Sequence, residues 1–597
     1  MAMTCKIKLS LSAGLIALAI GAVFFLFYRG CFERNVPLSY EGDAFSVMMT
    51  IQGYAEGDTN PLTPRFLERL NAPFQGAWSD FPQEKFVFWP AGWLVALFGL
   101  ARGSTLYVLL LQITAGLSFY FSGRCLLQTR GREVWLVCGA ILFGLAPYAF
   151  LRNLQHLALT AYWPVPLMVV ALIWLGWPER TRLGLRAGAM FSCAAAFVGG
   201  SFNPYYLGPF LVLLTLLALG ALIQRQWLRS GIFALVFASA VAGFVLQNID
   251  TFIYIAQNGK NPEAVSRELW WMVKFGLFLP DLFFPRAHMS EWVSKLSWSL
   301  YQGRVPQQLW GESQTAYIGL VAGAGLVVLL ASGVILICAK KFDSVSPLFW
   351  LSSGVILFSV AGGANYFLGS FGFLLLRAAN RSSIILACMA LLFLCAIAPA
   401  KIGKIWKILL AIFILGVGIW DQLPRYPKWE EDVRQRAWND FERDREFFSA
   451  LERELPKGAM VFEFPVKDYP EMGPIREMGD YEHFRPVLHS QDLRVSYGTI
   501  KGRGDTVWQK GLSGKSPSEV RSILEKHGFS AILINRKAYE DQGGALENGF
   551  LAAGVKRLME NPDFILLKIE PIANPELPII PDRKTLRKMK KEEQSQS

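Results

Sequence analysis

No cysteine follows Cys395 in this chain of 597 residues, and the eight present (Cys5, Cys31, Cys125, Cys138, Cys193, Cys338, Cys388 and Cys395) nearly all fall in apolar runs or on their flanks. The C-terminal part therefore has no disulfide framework, and no CxxC or Cys/His cluster with zinc-site spacing occurs. Charge is scarce as well: 18% of residues are Asp, Glu, Lys or Arg, against 53% hydrophobic. A soluble protein of that composition could not cover its surface with polar groups. Also lacking are a P-loop, a GxGxxG set between strand and helix, and a DxD pair, so a cytoplasmic nucleotide site is excluded and a divalent-metal site has no motif to support it. No internal repeat or inverted symmetry of the kind many transporters show is found.

What the chain has is apolar blocks. Runs such as 104–122, 205–223 and 316–338 match the roughly 20 residues that cross a bilayer core of about 30 Å. The run Leu9–Tyr28 follows Lys6 and Lys8; it is too long for a signal-peptide core and no small-residue cleavage site follows, so it reads as a retained first helix. Further spans are expected at 134–151, 160–176, 186–200, 230–247, 347–362, 382–400 and 404–421. The segment Phe86–Ala101 is apolar but short, with a proline near its start. If it spanned, the basic loop Arg124, Arg130 and Arg132 would land outside, against the positive-inside rule. Set aside, it leaves about eleven spans. The loops Arg180/Arg182/Arg186, Arg225/Arg229, Lys340/Lys341 and Lys401/Lys404 then fall on the same side as Arg124, Arg130 and Arg132.

That pattern explains the formal net charge of +12 without nucleic acid: the excess lies in short loops and in the tail Arg583–Lys591, a solvated terminus. The expected fold is an α-helical polytopic membrane protein with a C-terminal soluble α/β domain. Residues 1–421 form the transmembrane domain, with a first external loop at 29–85 and a large one at 248–314. Residues 422–597 form an extracytoplasmic domain with a basic tail. In it Trp429–Leu455 reads as an amphipathic helix, Ala459–Phe464 as a strand, Ser518–Lys526 as a helix, and Ala531–Asn535 and Phe564–Ile569 as strands.

Polar residues near apolar segments cost several kcal/mol to insert and so require a reason. On the external side stand Asp43 in YEGDAF and Asp80 in WSDFPQEKF. Arg152 and His156 in LRNLQHLAL, four apart, would share a helix face. Asn203, Tyr205 and Tyr206 lie in SFNPYY, and Arg377 and Arg381 in LLLRAANRSS. Each has a plain reading: solvated carboxylates, an interfacial histidine, a snorkelling arginine, an aromatic belt. The arginine pair is different, because together it violates the positive-inside rule on an otherwise apolar run. A guanidinium pair suits a phosphate, whose oxygens match its fork of donors. A carboxylate facing it would suit a general base for an acceptor hydroxyl.

Four of these places, Gly42-Asp43 after the first helix, the external His156, Tyr205-Tyr206 and the RAANR of Arg377–Arg381, together with RVSYGTIKGRGDTVWQ and GFSAILINRKAY near the C-terminus, resemble the GT-C superfamily of membrane glycosyltransferases, especially its bacterial YfhO-type branch. The resemblance implies a GT-C-like membrane domain in a bacterial inner membrane, with the N-terminus cytoplasmic. It further implies a polyprenyl-phosphate-linked sugar donor, a glycan or glycolipid acceptor, and a role in envelope polysaccharide or glycolipid assembly. Asp43 is then the expected base, with Asp80, the other carboxylate of the loop, the alternative catalytic residue for that role. Arg377 and Arg381 bind the donor phosphate, and Arg152, His156, Asn203, Tyr205 and Tyr206 line the substrate site. No cofactor is expected; a divalent metal lacks its DxD. Two other functions fit the same layout: a transporter of lipid-linked sugar or lipid, and a scaffold for envelope assembly.

Overall fold

A computed structural model describes residues 2–127, 131–261, 263, 267–288, 290–300, 302, 311–425, 428–581 and 585–586. Arg130 and nearly all of the basic tail lie outside the described residues. Among those described, nine helices are long and apolar enough to cross a membrane: Leu9–Phe27, Leu100–Leu126, Glu133–Arg152, Leu185–Phe202, Pro204–Ile223, Trp227–Gln247, Leu320–Cys338, Ala379–Ile397 and Lys404–Gln422. Three shorter apolar helices are Lys85–Phe98, Pro164–Gly176 and Pro347–Ser359. The last two complete the expected set of spans. The first is the segment that the charge pattern set aside.

These helices turn large apolar side chains outward, including Leu18, Leu216, Ile223, Ile335, Ile405 and Phe413. Hydrocarbon tolerates such a surface and water does not. Between helices, small residues let backbones meet: a Cβ on Gly200 would collide with the backbone at Ala240, and one on Gly243 with the Phe197 carbonyl. The helices Leu185–Phe202 and Trp227–Gln247 therefore cross at nearly bare backbone.

The basic loops gather at one end. Arg182 N–H donates to the Cys125 carbonyl (3.0 Å), Arg180 to the Asp343 carbonyl (2.7 Å), Arg229 to the Leu175 carbonyl (2.7 Å) and Lys407 to the Gly131 carbonyl (3.3 Å). The C-terminal sheet packs at the other end.

That sheet has five strands in the order β4-β3-β5-β7-β6. They are β3 Met460–Phe464, β4 Arg494–Val495, β5 Phe529–Asn535, β6 Lys556–Glu560 and β7 Phe564–Lys568, after a small hairpin of β1 Phe66–Leu67 and β2 Gly76–Ala77 in the first loop. Strands β4, β3 and β5 are parallel, and β7 pairs antiparallel with both β5 and β6. Every residue of β5 is buried, and its alternation explains the unbroken apolar run. Ala531 and Leu533 pack with Phe448 and Leu451 of the helix Lys428–Glu454, whereas Ile532 and Ile534 pack with Val520 and Leu524 of the helix Pro517–Lys526. The latter starts at a capping box between Ser516 and Glu519.

The first external loop is less loop-like than its polarity predicts. Within it Asp43–Glu56 is a helix that buries Phe45, Met48, Met49 and Ile51. The rest of the loop is clamped to the soluble domain. Trp78 stacks on Tyr469 (centroids 4.4 Å, planes 13° apart) and donates from Nε1 to the Gly498 carbonyl (3.1 Å). Arg69 Nη1 donates to the carbonyls of Val487 (3.0 Å) and Ser490 (2.9 Å). Tyr469, Phe484, Val487 and Tyr497 consequently share one apolar core with the membrane helices, so the sheet domain is seated on the helical part through the first loop.

Candidate active site

Where these parts meet there is a cavity of about 330 Å³ lined by residues of both. Its floor and one wall come from the helix that starts at Asp43, from the turn Gln155–Leu159, and from Asn203–Tyr205. Its roof is Tyr469, Pro470, Glu471 and Tyr481 of the soluble domain, which no reading of the membrane segments could have supplied.

Asp43 is the first residue of its helix and follows Gly42, whose φ of 50° and ψ of −130° suit almost only glycine. This sharp entry leaves the carboxylate in the cavity, with 56% of its side-chain surface open. Among the described residues no donor hydrogen-bonds it; His156 Nε2 stands 3.6 Å away. The enclosing protein pushes the Asp43 pKa up to about 6, chiefly by desolvation and next by the carboxylates of Glu312, Asp480 and Glu471, with Arg381 opposing. A position at a helix N-terminus favours the anion, but here desolvation outweighs it. The same burial, reinforced by Arg152, lowers the His156 pKa to about 3, so its ring is neutral. Asp43 is thus a carboxylate that can take a proton near neutrality.

Arg381 is buried and lies over the Tyr205 ring (4.2 Å to its centroid). It is held by Glu312, donating from Nη2 to the two carboxylate oxygens at 3.0 and 3.1 Å. Arg152 Nη1 reaches the same carboxylate at 2.5 Å, and its Nη2 donates to Asn380 Oδ1 at 3.1 Å. Two guanidiniums on one carboxylate hold Glu312 well below the ordinary range and leave a net positive charge. Glu312 went unnoticed in the sequence because one glutamate in a polar loop carries no pattern. It borders a second cavity of about 470 Å³ that shares Gln155 and His156 with the first. The turn carrying these two is thus a partition between two chambers.

Several expected site residues take other places. Asp80 does not line the cavity. Its carboxylate is fully buried against Arg503, whose Nε donates at 2.6 Å, and accepts from Asn261 (3.1 Å), so it ties the first loop to the soluble domain. Arg152 and His156 do not share a helix face: the helix ends at Asn153 (φ 30°), which sends Arg152 to Glu312 and His156 towards Asp43. Tyr206 is buried in the helix packing, donating to the Leu159 carbonyl and the Tyr148 hydroxyl. Asn203 lines the cavity but caps the helix Pro204–Ile223, accepting from the Tyr205 N–H (2.9 Å). Arg377 and Arg381 belong to separate short turns. Arg377 lies over Trp271 (4.7 Å), with Nη2 4.0 Å from Glu471, and only Arg381 of the two lines the cavity. The structure therefore brings together Asp43, His156, Asn203, Tyr205 and Arg381, and adds Glu471 and Arg267. Among the described residues, no group of three or more His, Cys, Asp or Glu side chains could hold a metal.

No family model and no curated protein matches this chain. Solved structures of related layout include the apo oligosaccharyltransferase of Archaeoglobus fulgidus (12% identity, 96% of this chain and 76% of that one, TM-score 0.41). Another is AglB of the same organism with an inhibitory peptide and dolichol-phosphate (10%, 92% and 72%, TM-score 0.41). A third is ArnT from Cupriavidus metallidurans bound to undecaprenyl phosphate (12%, 93% and 97%, TM-score 0.41). Likenesses of this strength assign no activity, which has to come from the residues themselves.

Proposed function

We propose that this protein is a GT-C-type membrane glycosyltransferase that moves a sugar from a polyprenyl-phosphate donor to an acceptor hydroxyl. One observation carries this reading: an open carboxylate of raised pKa, Asp43, shares a cavity at the membrane–domain boundary with the guanidiniums of Arg381 and Arg267. In the reaction Asp43 takes the acceptor proton, the acceptor oxygen bonds to the anomeric carbon, and the bond from that carbon to the phosphate oxygen breaks. The phosphate leaves with the electron pair, and the guanidiniums neutralise it. The basic loops gathered at the far end support, by the positive-inside rule, a cavity that faces the extracytoplasmic side, and a bacterial inner membrane is the fitting location. Envelope polysaccharide or glycolipid assembly is the fitting context, and no metal is assigned a step. The test is mass spectrometry of envelope glycolipids and polysaccharides from cells carrying wild-type or Asp43→Asn protein. Loss of one glycoform with accumulation of its lipid-phosphate sugar is expected, in extracts made with or without chelator. Unchanged glycoforms, with the lipid-linked sugar trapped on one leaflet when the gene is deleted, would make the protein a transporter.

A further inference from the structure

Of the soluble-domain residues that roof the cavity, Glu471 is the one that meets arginines of the membrane part. Tyr469 is fixed: its ring stacks on Trp78, and its hydroxyl is 2.7 Å from that of Ser46. Two residues further on, Glu471 lines the cavity and meets the large loop 248–314. Arg267 grips it with a fork, Nη1 to Oε2 at 2.6 Å and Nη2 to Oε1 at 3.1 Å. Arg377 Nη2 stands 4.0 Å from Oε1. Both guanidiniums lie over the ring of Trp271, at 5.7 and 4.7 Å from its centroid. The result is an anion seat, two arginines organised on one indole, and its occupant is a carboxylate from another part of the chain.

Two features mark that occupant as removable. Glu471 has a φ of 56°, a left-handed conformation that is unfavourable for a residue with a Cβ, so its backbone is under strain while it is seated. Its side chain also stays 40% exposed, so solvent can take over the carboxylate when it leaves. Arg377 by contrast is largely buried, and its Nε and Nη1 have no hydrogen-bond acceptor among the described residues. A carboxylate offers two oxygens, whereas a phosphate offers three and more charge, which suits two forks better than one.

We propose that Arg267, Arg377 and Trp271 form a phosphate seat, and that Glu471 is an internal competitor which the phosphate of a lipid-linked donor displaces. This rests on the phosphate-donor reading above and assigns to the soluble domain the control of entry into the cavity. The seat opens beside Leu375, which lines the cavity, and beside the exposed Phe371 and Phe373. An anionic head joined to an apolar tail would meet both surfaces at once. That is the chemistry of a polyprenyl phosphate rather than of free phosphate.

The test measures binding without transfer. Full-length protein in nanodiscs is titrated with polyprenyl phosphate, which carries no sugar, and separately with inorganic phosphate. Glu471→Gln keeps the shape and removes the charge, so polyprenyl phosphate should bind about 3- to 10-fold more tightly, as expected when one forked ion pair no longer competes. Arg267→Ala should weaken binding. In the Arg267→Ala background the Glu471→Gln gain should disappear, since the competitor then has no seat to hold. Inorganic phosphate should bind weakly to every form. Equal or weaker polyprenyl-phosphate binding by Glu471→Gln, or a gain that persists without Arg267, would overturn the proposal, as would inorganic phosphate binding as tightly as the lipid. A failure of the transferase reading is recognised separately: the binding changes would appear as predicted while no sugar is moved.

Discussion

Two clusters of buried charge lie near the boundary between the soluble domain and the membrane part, and they are built on opposite plans. Around Arg485 everything is closed. Its Nε and Nη2 meet Asp444 at 2.6 and 2.8 Å, Nη2 also meets Asp563 at 2.7 Å, and Nη1 meets Glu482 at 3.2 Å. Tyr40 of the first loop donates to Asp444 at 2.6 Å, so the cluster is a dock for that loop. The cluster of Arg152, Glu312 and Arg381 is as charged and nearly as buried, but it borders two cavities, and Asp43 beside it has no donor. Burial and charge do not by themselves mark function. The useful sign is a polar group whose bonding is left incomplete in a space that a ligand can enter.

The largest expected effect tests the open cluster. Asp43→Asn keeps the shape and loses the basicity, so transfer should fall by roughly 100- to 10,000-fold, read as turnover on a polyprenyl-phosphate sugar by purified protein. Its melting temperature at pH 7 should equal or exceed that of the wild type. The folded-state pKa of Asp43 is raised, so the ionised form disfavours folding above about pH 6 and the substitution removes that cost. Near-normal turnover would abolish the contrast between the clusters. Arg485→Met should do the reverse. It leaves the buried carboxylate of Asp444 with no cation among the described residues, while Asp563 keeps Arg443 and Lys537, and breaking such a buried pair costs about 3–5 kcal/mol, seen as a lowered unfolding temperature. Turnover per folded molecule should hold. Asp80→Asn should give a smaller stability loss, about 1–3 kcal/mol, because Arg503 keeps the carbonyls of Asn258 and Gly259. Collapse of transfer in this variant with normal melting would move the base from Asp43 to Asp80.

The contrast between Asp43 and Asp80 also marks how far the sequence could be read. The membrane spans were legible because hydrocarbon imposes one length and one composition, and the common end of the basic loops because their charges agree. Three strands and two helices of the last domain followed from periodicity: Ala531–Ile534 is apolar without a break because both faces of the sheet are covered, whereas the short or polar strands Arg494–Val495 and Lys556–Glu560 carry no such run. The helix Asp43–Glu56 was missed, although Phe45, Met48 and Met49 already carry helical spacing, because the surrounding polarity of the loop dominated the reading. The site was legible only where a residue broke a rule, as Arg381 does at the end of the helices away from the basic loops. Nothing local separates Asp80 from Asp43: the difference is Arg503, more than 400 positions away in the chain. Glu312, Arg267 and Glu471 lie in segments with no sequence pattern, and only tertiary packing brings them to the two cavities.

The smallest expected effect is the finest test of the open cluster, since it asks whether the groups around Asp43 act on it as their positions require. A base must be deprotonated to work, so transfer should rise with pH along a one-proton limb centred near pH 6 and be lost as pH falls through it. His156 cannot be the source of that limb, because its pKa is lowered to about 3 and the ring stays neutral across the range. After desolvation, Glu312 is the strongest influence raising the Asp43 pKa. Glu312→Gln removes that carboxylate and uncovers the charge of Arg152 and Arg381, and both changes favour ionised Asp43. The limb should therefore move to lower pH, with maximal turnover reduced by whatever positioning of Arg381 is lost. Arg485→Met, remote from the cavity, should leave the midpoint in place. A limb that stays near pH 6 in Glu312→Gln, or that moves equally in both variants, would mean that the titrating group is not Asp43, and the catalytic assignment would fall with it.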